Sequence, residues 1–394
     1  MKQPQRKIYT GPTLFSYGFR PFFLAAMAFG LIIIPLWIAV YLGHLELNSV
    51  FPPLDWHIHE MLFGYAGAVI SGFLFTAIPN WTGRMPIRGW PLMLLLGIWV
   101  VGRLAMAGIL DFGPLLVMVT DCAFLAAICL MIATEVIAGR NWRNLKVVIP
   151  VFLFLCANIV FHTEVIVQGG ADLGRRLGIA VVVFLITLIG GRIIPSFTRN
   201  WLVKTTPGPL PIPFNRFDAI CLLSGAASLI GWVALPDAQI IGGLLITTAA
   251  LHVLRLSRWQ GVRTFASPLL LILHVAYAFV PIGLFALGIG ASPAGLHLLG
   301  IGAIVGMTIA VMVRATLGHT GRPLQIGNSV IWAFALLMIA AILRSFADTL
   351  QIFGLTGLNI SAGLWAIGFS IVLMRIGPML WSKRVKQRTP NKQP

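Results

Sequence analysis

An all-α, polytopic membrane fold of about twelve transmembrane helices is what this sequence predicts, on three observations. Of the 394 residues 58% are hydrophobic and 10% are charged, too little polar surface to clothe a water-soluble protein. Apolar stretches long enough to cross a bilayer follow one another from Phe22 to Pro378. The connectors between them alternate between basic and acidic.

At roughly twenty residues per span, helices are expected near 21–42, 57–79, 91–110, 114–138, 146–168, 174–195, 216–235, 238–255, 267–288, 295–316, 327–348 and 354–378. An even number brings the chain back to its starting side. One set of connectors then carries Lys2, Arg6, Lys7, Arg84, Arg88, Arg140, Arg143, Lys146, Arg192, Arg199, Lys204, Arg255, Arg258, Arg263, Arg322 and the tail from Lys383 to Lys392. The other set carries Glu46, Asp55, Asp111, Asp172 and Asp237, with Arg175 and Arg176 as exceptions. Positive charge stays in the cytoplasm during insertion, so both termini are expected there, in a bacterial inner membrane.

The organisation is a single transmembrane domain over residues 1–394, with a cytoplasmic lead-in (1–20), a stiff Pro-rich cytoplasmic loop (200–215) and a basic cytoplasmic tail (381–394). No cleavable signal peptide is expected, because the first apolar run comes late and no A-x-A-like site follows it. The net charge of +17 could suggest nucleic acid as a partner, but that needs basic residues massed on one soluble face, and here they are dealt out among connectors. The lipid bilayer is the expected partner. Cys122, Cys129, Cys156 and Cys221 all fall in expected spans without C-x-x-C spacing, which reads as packing thiols rather than a disulfide or zinc framework.

The second, sixth and tenth helices end alike, at Pro79-Asn-Trp-Thr82-Gly-Arg84, Pro195-Ser-Phe-Thr198-Arg-Asn and Leu317-Gly-His-Thr320-Gly-Arg322. The second and tenth also begin alike, at His57 and His297, and the helices after them carry Arg103 and Arg344. Two readings stand. Either small residues and arginine simply recur at cytoplasmic helix ends, or three four-helix units surround a centre, the arrangement of haem-copper oxidases.

Histidine is the residue from which haem iron and copper sites are built. Near the outer boundary lie His44, the run Trp56-His57-Ile58-His59-Glu60-Met61, the pair His162 and Glu164, and His297. His57, His59, His162 and His297 are the candidate metal ligands; the bland alternative is interfacial histidines bonded to loop carbonyls. His57 and His59 diverge by about 200° if both are helical, so they serve one centre only if the helix begins after them. His57 and Glu60 are expected to share a face. Phe63 stands where a zincin motif needs its second histidine. Gly64, Ala68 and Gly72 continue that stripe as a ridge of small residues, open either to another helix or to a flat macrocycle.

In the cytoplasmic half, His252 and His274 are candidate haem ligands, with Arg255 and Arg258 placed to meet propionates. The plainer reading makes His252 part of a wet boundary and bonds His274 to a neighbour such as Tyr277. His319 is expected in a basic loop, on water or lipid phosphate. Arg103 and Asp121 are expected as an ion pair between consecutive helices, and Arg344 with Asp348 as an i, i+4 pair.

Phe15-Ser-Tyr-Gly-Phe-Arg-Pro-Phe-Phe23, Trp56 to Gly64, Pro79 to Arg84, Gly190-Gly-Arg-Ile-Ile-Pro-Ser-Phe-Thr-Arg-Asn-Trp201 and the stretch from His297 to Arg322 together resemble the NnrS family over almost the whole chain. The resemblance implies an inner-membrane protein that binds haem, expected as b-type, and copper. It also implies a role in the response to nitric oxide and to nitrosative stress, often beside denitrification. Nitric oxide or a metal-nitrosyl species would be its ligand, bound, oxidised or reduced at the metal. The competing reading is a twelve-helix transporter or channel for a small solute or metal-nitrosyl species, using the same histidines as substrate ligands. The scarcity of midplane carboxylates and of an evident inverted repeat weighs against it.

Overall fold

The computed structural model describes residues 9–140, 142, 148–347, 349–352 and 354–385. Within them the chain forms twelve apolar helices. They are α1 (Phe19–Tyr41), α2 (Pro53–Pro79), α3 (Trp90–Met106), α4 (Gly113–Ala138), α5 (Val148–Gln168), α6 (Asp172–Thr205), α7 (Arg216–Ala234), α8 (Gln239–Ser257), α9 (Pro268–Gly288), α10 (Ser292–His319), α11 (Asn328–Ser345) and α12 (Gly357–Trp381). Eleven are long and apolar enough to cross a bilayer, and α3, at 17 residues, is the shorter one. The protein is an all-α, multi-pass membrane protein. Outward-facing Leu115, Leu130, Leu223, Ile230, Ile240 and Trp332 are exposed, as lipid-facing side chains should be. The extended structure is a two-residue hairpin, β1 (Gln351–Ile352) on β2 (Leu355–Thr356), in the α11–α12 connector.

Several boundaries differ from those read off the sequence. α6 runs ten residues beyond Pro195, which it contains rather than ends on, so the first part of the expected 200–215 loop is helical. Proline inside a membrane helix is tolerated where neighbours satisfy the freed backbone. The rest of that loop is an extended strap. Arg263 fastens it by donating to the carbonyls of Pro209, Pro207 (2.8 Å) and Thr206 (3.3 Å). α3 stops before Gly108, whose φ of +70° turns the chain and whose missing Cβ makes room for the Asn48 carbonyl. Arg192 and Arg255, expected in connectors, lie inside α6 and α8. Lys2, Arg6, Lys7, Arg143, Lys146, Asp348 and the tail beyond 385 fall outside the described residues, so the Arg344–Asp348 pair does too.

The helices follow one another around the molecule, and the circuit closes where α12 packs on α1. α2, α6 and α10 touch one another pairwise. They are also among the most enclosed, with 78, 61 and 67% of their central windows buried against 33–39% for α1, α4, α7, α8 and α12. Each of the three contains a π-helical turn, Glu60–Ala66, Ile186–Gly190 and Leu298–Val305, and no other described helix does. A π-turn leaves backbone groups out of register, and side chains take them up: Gly64 O accepts from Trp99 Nε1 at 3.0 Å. The common endings of these helices thus mark three central, similarly deformed helices.

The start of α1 and the end of α12 lie at one face. Buried Arg20, at the start of α1, donates Nη1 to Leu380 O (2.7 Å) and Ser382 O (2.9 Å), and Val385 N donates to Thr320 O (2.9 Å). Arg84, Arg88, Arg140, Arg199, Lys204, Arg258, Arg263 and Lys383 lie on this basic face; Glu46, Asp111, Asp172 and Asp237 lie on the opposite one. Arg20→Ala leaves the two carbonyls without their charged donor, and each such bond is worth roughly 1.5–3 kcal/mol. The expected outcome is a loss of about 3 kcal/mol, read as a lower unfolding midpoint in detergent. An unchanged midpoint would show that the clasp does not hold the ring.

Candidate metal centre and central cavities

A buried polar cluster lies toward the opposite face, where four helices meet. α2 starts early, with Pro53 in its first turn, so His57 and His59 are both helical and diverge. His59 points away from the central axis toward α4 and α5. Asn158 and His162 stand four residues apart on α5 and therefore share a face, and Asp121 comes from the middle of α4. His59 Nε2 lies 2.8 Å from Asn158 Oδ1 and 3.2 Å from Asp121 Oδ2, and His162 Nε2 lies 3.1 Å from Asp121 Oδ2. These three residues form the one His/Cys/Asp/Glu group among the described residues whose ligand atoms fall within 4.8 Å of one another. All are buried, and Phe51 and Phe161 wall them edge-on, with Phe51 5.1 Å from His59 and 4.8 Å from His162.

Charge and proton counting both leave the cluster incomplete. Arg103 of α3 is paired with Glu60 and with Asp121. With neutral imidazoles, one guanidinium faces two carboxylates, so the group carries an excess negative charge in a low-dielectric interior. His59 then faces acceptors on both ring nitrogens. Glu60 Oε1 lies 3.0 Å from Nδ1. On the other side, Asn158 is fixed with its oxygen toward Nε2, because its Nδ2 donates to Asp121 Oδ2 at 2.7 Å. A neutral imidazole has one N–H for these two directions. A second proton or a cation at Nε2 satisfies both the ring and the charge. Two imidazole nitrogens and a carboxylate oxygen suit a transition metal, and a carboxylate on Nδ1 is the usual orienting partner of a metal-bound histidine. The residues therefore fit a metal ion, and among the described residues His162 Nδ1 is a buried nitrogen without a hydrogen-bond partner.

The expected outer set of four histidines is divided by the structure. His57 turns to the central axis, stacks on Trp37 (4.1 Å between centroids, 22°) and lines a cavity of about 430 Å³ with His297, Arg175 and Arg344. His297 Nδ1 donates to Pro293 O at 2.7 Å. His44 lies on an exposed loop. Glu60 does not share His57's surroundings, because Arg103 and the π-turn that begins at Glu60 direct its carboxylate to His59. Glu164 caps α6, accepting from Leu173 N (3.0 Å) and Gly174 N (2.6 Å). The small-residue ridge serves helix packing: a Cβ on Gly64 would stand 2.7 Å from Arg103 Nη1, and one on Gly72 2.7 Å from the Phe23 ring.

His252 and His274 are each engaged separately. His252 Nδ1 meets Tyr277 Oη at 2.8 Å, and His274 Nε2 meets Thr198 Oγ1 at 2.9 Å. Buried Arg255 is held by Asp218 (3.0 Å), Thr187 O (2.9 Å) and Tyr277 Oη (3.1 Å), and Arg258 lies 3.5 Å from Asp218. Both guanidiniums thus already face a carboxylate of the chain, and none of the four residues lines the central cavities. His319 ends α10 rather than sitting in a loop. Asp121 and Asn158 were hidden from sequence reasoning by the ion-pair reading of the first and the neutrality of the second. The four-residue spacing of Asn158 and His162 on an otherwise apolar face was the available signal.

Arg103→Gln leaves Glu60 and Asp121 buried without their counterion, a loss of about 3–5 kcal/mol. The unfolding midpoint is expected to fall sharply, and Glu60→Gln in the same chain to recover part of it. Equal midpoints for the single and double variants would disprove the charge pairing.

The profile of the family described as "NnrS protein" matches residues 13–384. No curated protein matches the chain.

Proposed function

The chain belongs to the NnrS family, and on that premise we propose that it is a copper- and haem-binding inner-membrane protein of the nitric oxide response, protective against nitrosative stress and associated with denitrification. The observation that carries this reading is His59, with acceptors against both ring nitrogens and an excess negative charge around it. Copper is the metal we assign to His59, Asp121 and His162, and it supplies one-electron chemistry and affinity for a neutral diatomic.

The chain's own residues do the rest. Glu60 fixes the ring of His59, Asn158 orients Asp121, and Arg103 holds both carboxylates in place. Phe51 and Phe161 keep water from the cluster, while nitric oxide, being small and uncharged, reaches it through lipid-like surroundings. The cavity lined by His57 and His297 is the site we assign to haem. Its volume of about 430 Å³ falls in the range of ligand pockets, roughly 300–1,000 Å³. It offers an imidazole from each of two helices, and Arg175, which pairs with Asp172, and Arg344 make its lining positive.

One observation favours the transport reading: cavities toward both faces are stacked between α2, α6 and α10. An absorption spectrum and a metal analysis of the purified protein separate the two. Near-stoichiometric copper and a Soret band that shifts with nitric oxide are expected. His59→Ala and His162→Ala should each lower copper affinity at least about tenfold while retaining the Soret band, and His57→Ala or His297→Ala should do the reverse. A colourless, metal-free preparation would sink the proposal and leave transport standing.

The basic face is the one we place in the cytoplasm, together with both termini. A fluorescent protein fused after the tail should therefore fluoresce, and alkaline phosphatase fused there should be inactive; the opposite pattern would invert the topology.

A further inference from the structure

The cavity toward the basic face holds chemistry that the proposed metal and haem sites do not use. It encloses about 480 Å³ between α2, α6 and α10. Arg192 of α6 and Arg314 of α10 line it, with His319 at the end of α10. Both arginines lie within membrane-length helices, where a cation needs a partner. Arg314 lies over the Phe197 ring, 3.7 Å from its centroid. A ring face offers partial negative charge and no neutralisation.

Among the described residues neither arginine is in an ion pair; five acids pair with other arginines, and Glu46, Asp111 and Asp237 lie on the opposite face. Arg103 holds Glu60 and Asp121, Arg84 holds Glu135, Arg175 holds Asp172, and Arg255 and Arg258 hold Asp218. A guanidinium stays protonated at neutral pH, so two positive charges face this cavity without a countercharge from the described chain.

The shape adds a second constraint. The cavity runs into a narrow waist of about 80 Å³, sharing Phe73, Leu185, Ile189, Ile193 and Val311 with it. Apart from Thr308, the side chains of that waist are apolar. At the outer end, His319 packs against Tyr17 and Phe19 at 5.6 and 5.5 Å, so the lead-in frames the cavity. Charge at one end and an apolar slot at the other describe the ligand.

We propose that this cavity binds an amphipathic anion, with a phosphate or carboxylate head on Arg192 and Arg314 and an apolar chain extending into the waist. Such an anion comes either from a phospholipid of the adjoining leaflet or from a soluble organic acid or phosphate on the basic side. The assignment uses none of the metal ligands and stands apart from the family reading.

Two probes test it on the full chain in phosphatidylcholine nanodiscs. Hexyl phosphate is titrated by calorimetry, and phosphatidylglycerol, added to the discs, is followed by native mass spectrometry. Saturable hexyl phosphate binding identifies a soluble ligand. One retained phosphatidylglycerol without hexyl phosphate binding identifies a lipid. Either supports the assignment if Arg192→Gln with Arg314→Gln weakens binding at least about tenfold, the scale expected when charge-assisted bonds are lost. Binding of neither probe, equal binding by the double variant, or equal binding of uncharged hexanol overturns it. Gly318→Leu guards against a double variant that fails to fold. It keeps both charges, its new Cβ meets only Leu324, at 3.7 Å, and the rest of its side chain adds bulk at the cavity wall. Binding that survives this substitution also overturns the assignment.

Discussion

The pairing of Arg103 with both Glu60 and Asp121 is the interaction on which the first half of the molecule depends. It ties α2, α3 and α4 through one guanidinium, and Asn158 and His162 bring in α5 through Asp121. Membrane helices have little apolar driving force for mutual association, so buried polar contacts of this kind largely decide which helices meet. The same contact helps to set the histidines: Arg103 draws Glu60 toward His59 Nδ1, and Asn158 on the other side holds Nε2 toward Asp121. A network that is structural in its charges is thereby chemical in the one nitrogen it leaves short of a proton.

The second organising feature is the set of π-turns in α2, α6 and α10. Each widens its helix near the middle of the molecule, and the stacked cavities lie along the same three helices. Space and deformation therefore coincide. Tyr65 and Thr308 bridge α2 and α10 at 2.8 Å beside the waist, which helps to separate the two larger cavities. A chain with three regular central helices would pack more tightly and would hold less.

Much of the fold was legible because the bilayer imposes so few solutions. Apolar runs of spanning length determine helix number, and the twelve helices are present among the described residues. The shared endings of the second, sixth and tenth helices left two readings open, and the mutual packing of these three is visible only in three dimensions. The π-turns were not legible, because no residue type demands them. The end of α6 was misplaced because Pro195 reads as a stop in water. At the site, the sequence sorts the histidines by depth along the helix, but direction around the helix is needed to see that His57 and His59 face different spaces. That direction depends on α2 beginning at Pro53. Asp121 was read as a counterion, and its second oxygen, turned to His59 and His162, is visible only in three dimensions.

The order of these contacts along the chain has a consequence for biosynthesis. His59, Glu60, Arg103, Asp121, Asn158 and His162 all precede α6, whereas the clasp of Arg20 on Leu380 and Ser382 waits for the last helix. Domains and subdomains begin to assemble while the ribosome is still at work. A nascent chain that has threaded only α1 to α5 into the bilayer already owns the complete polar cluster. The cavity between His57 and His297 does not exist until α10 arrives. Formation of the two sites is thus separated in time by the chain itself: the cluster comes first, and the cavity is complete only with α12, whose Leu358, Ser361, Ala362 and Trp365 line it, as the ring closes.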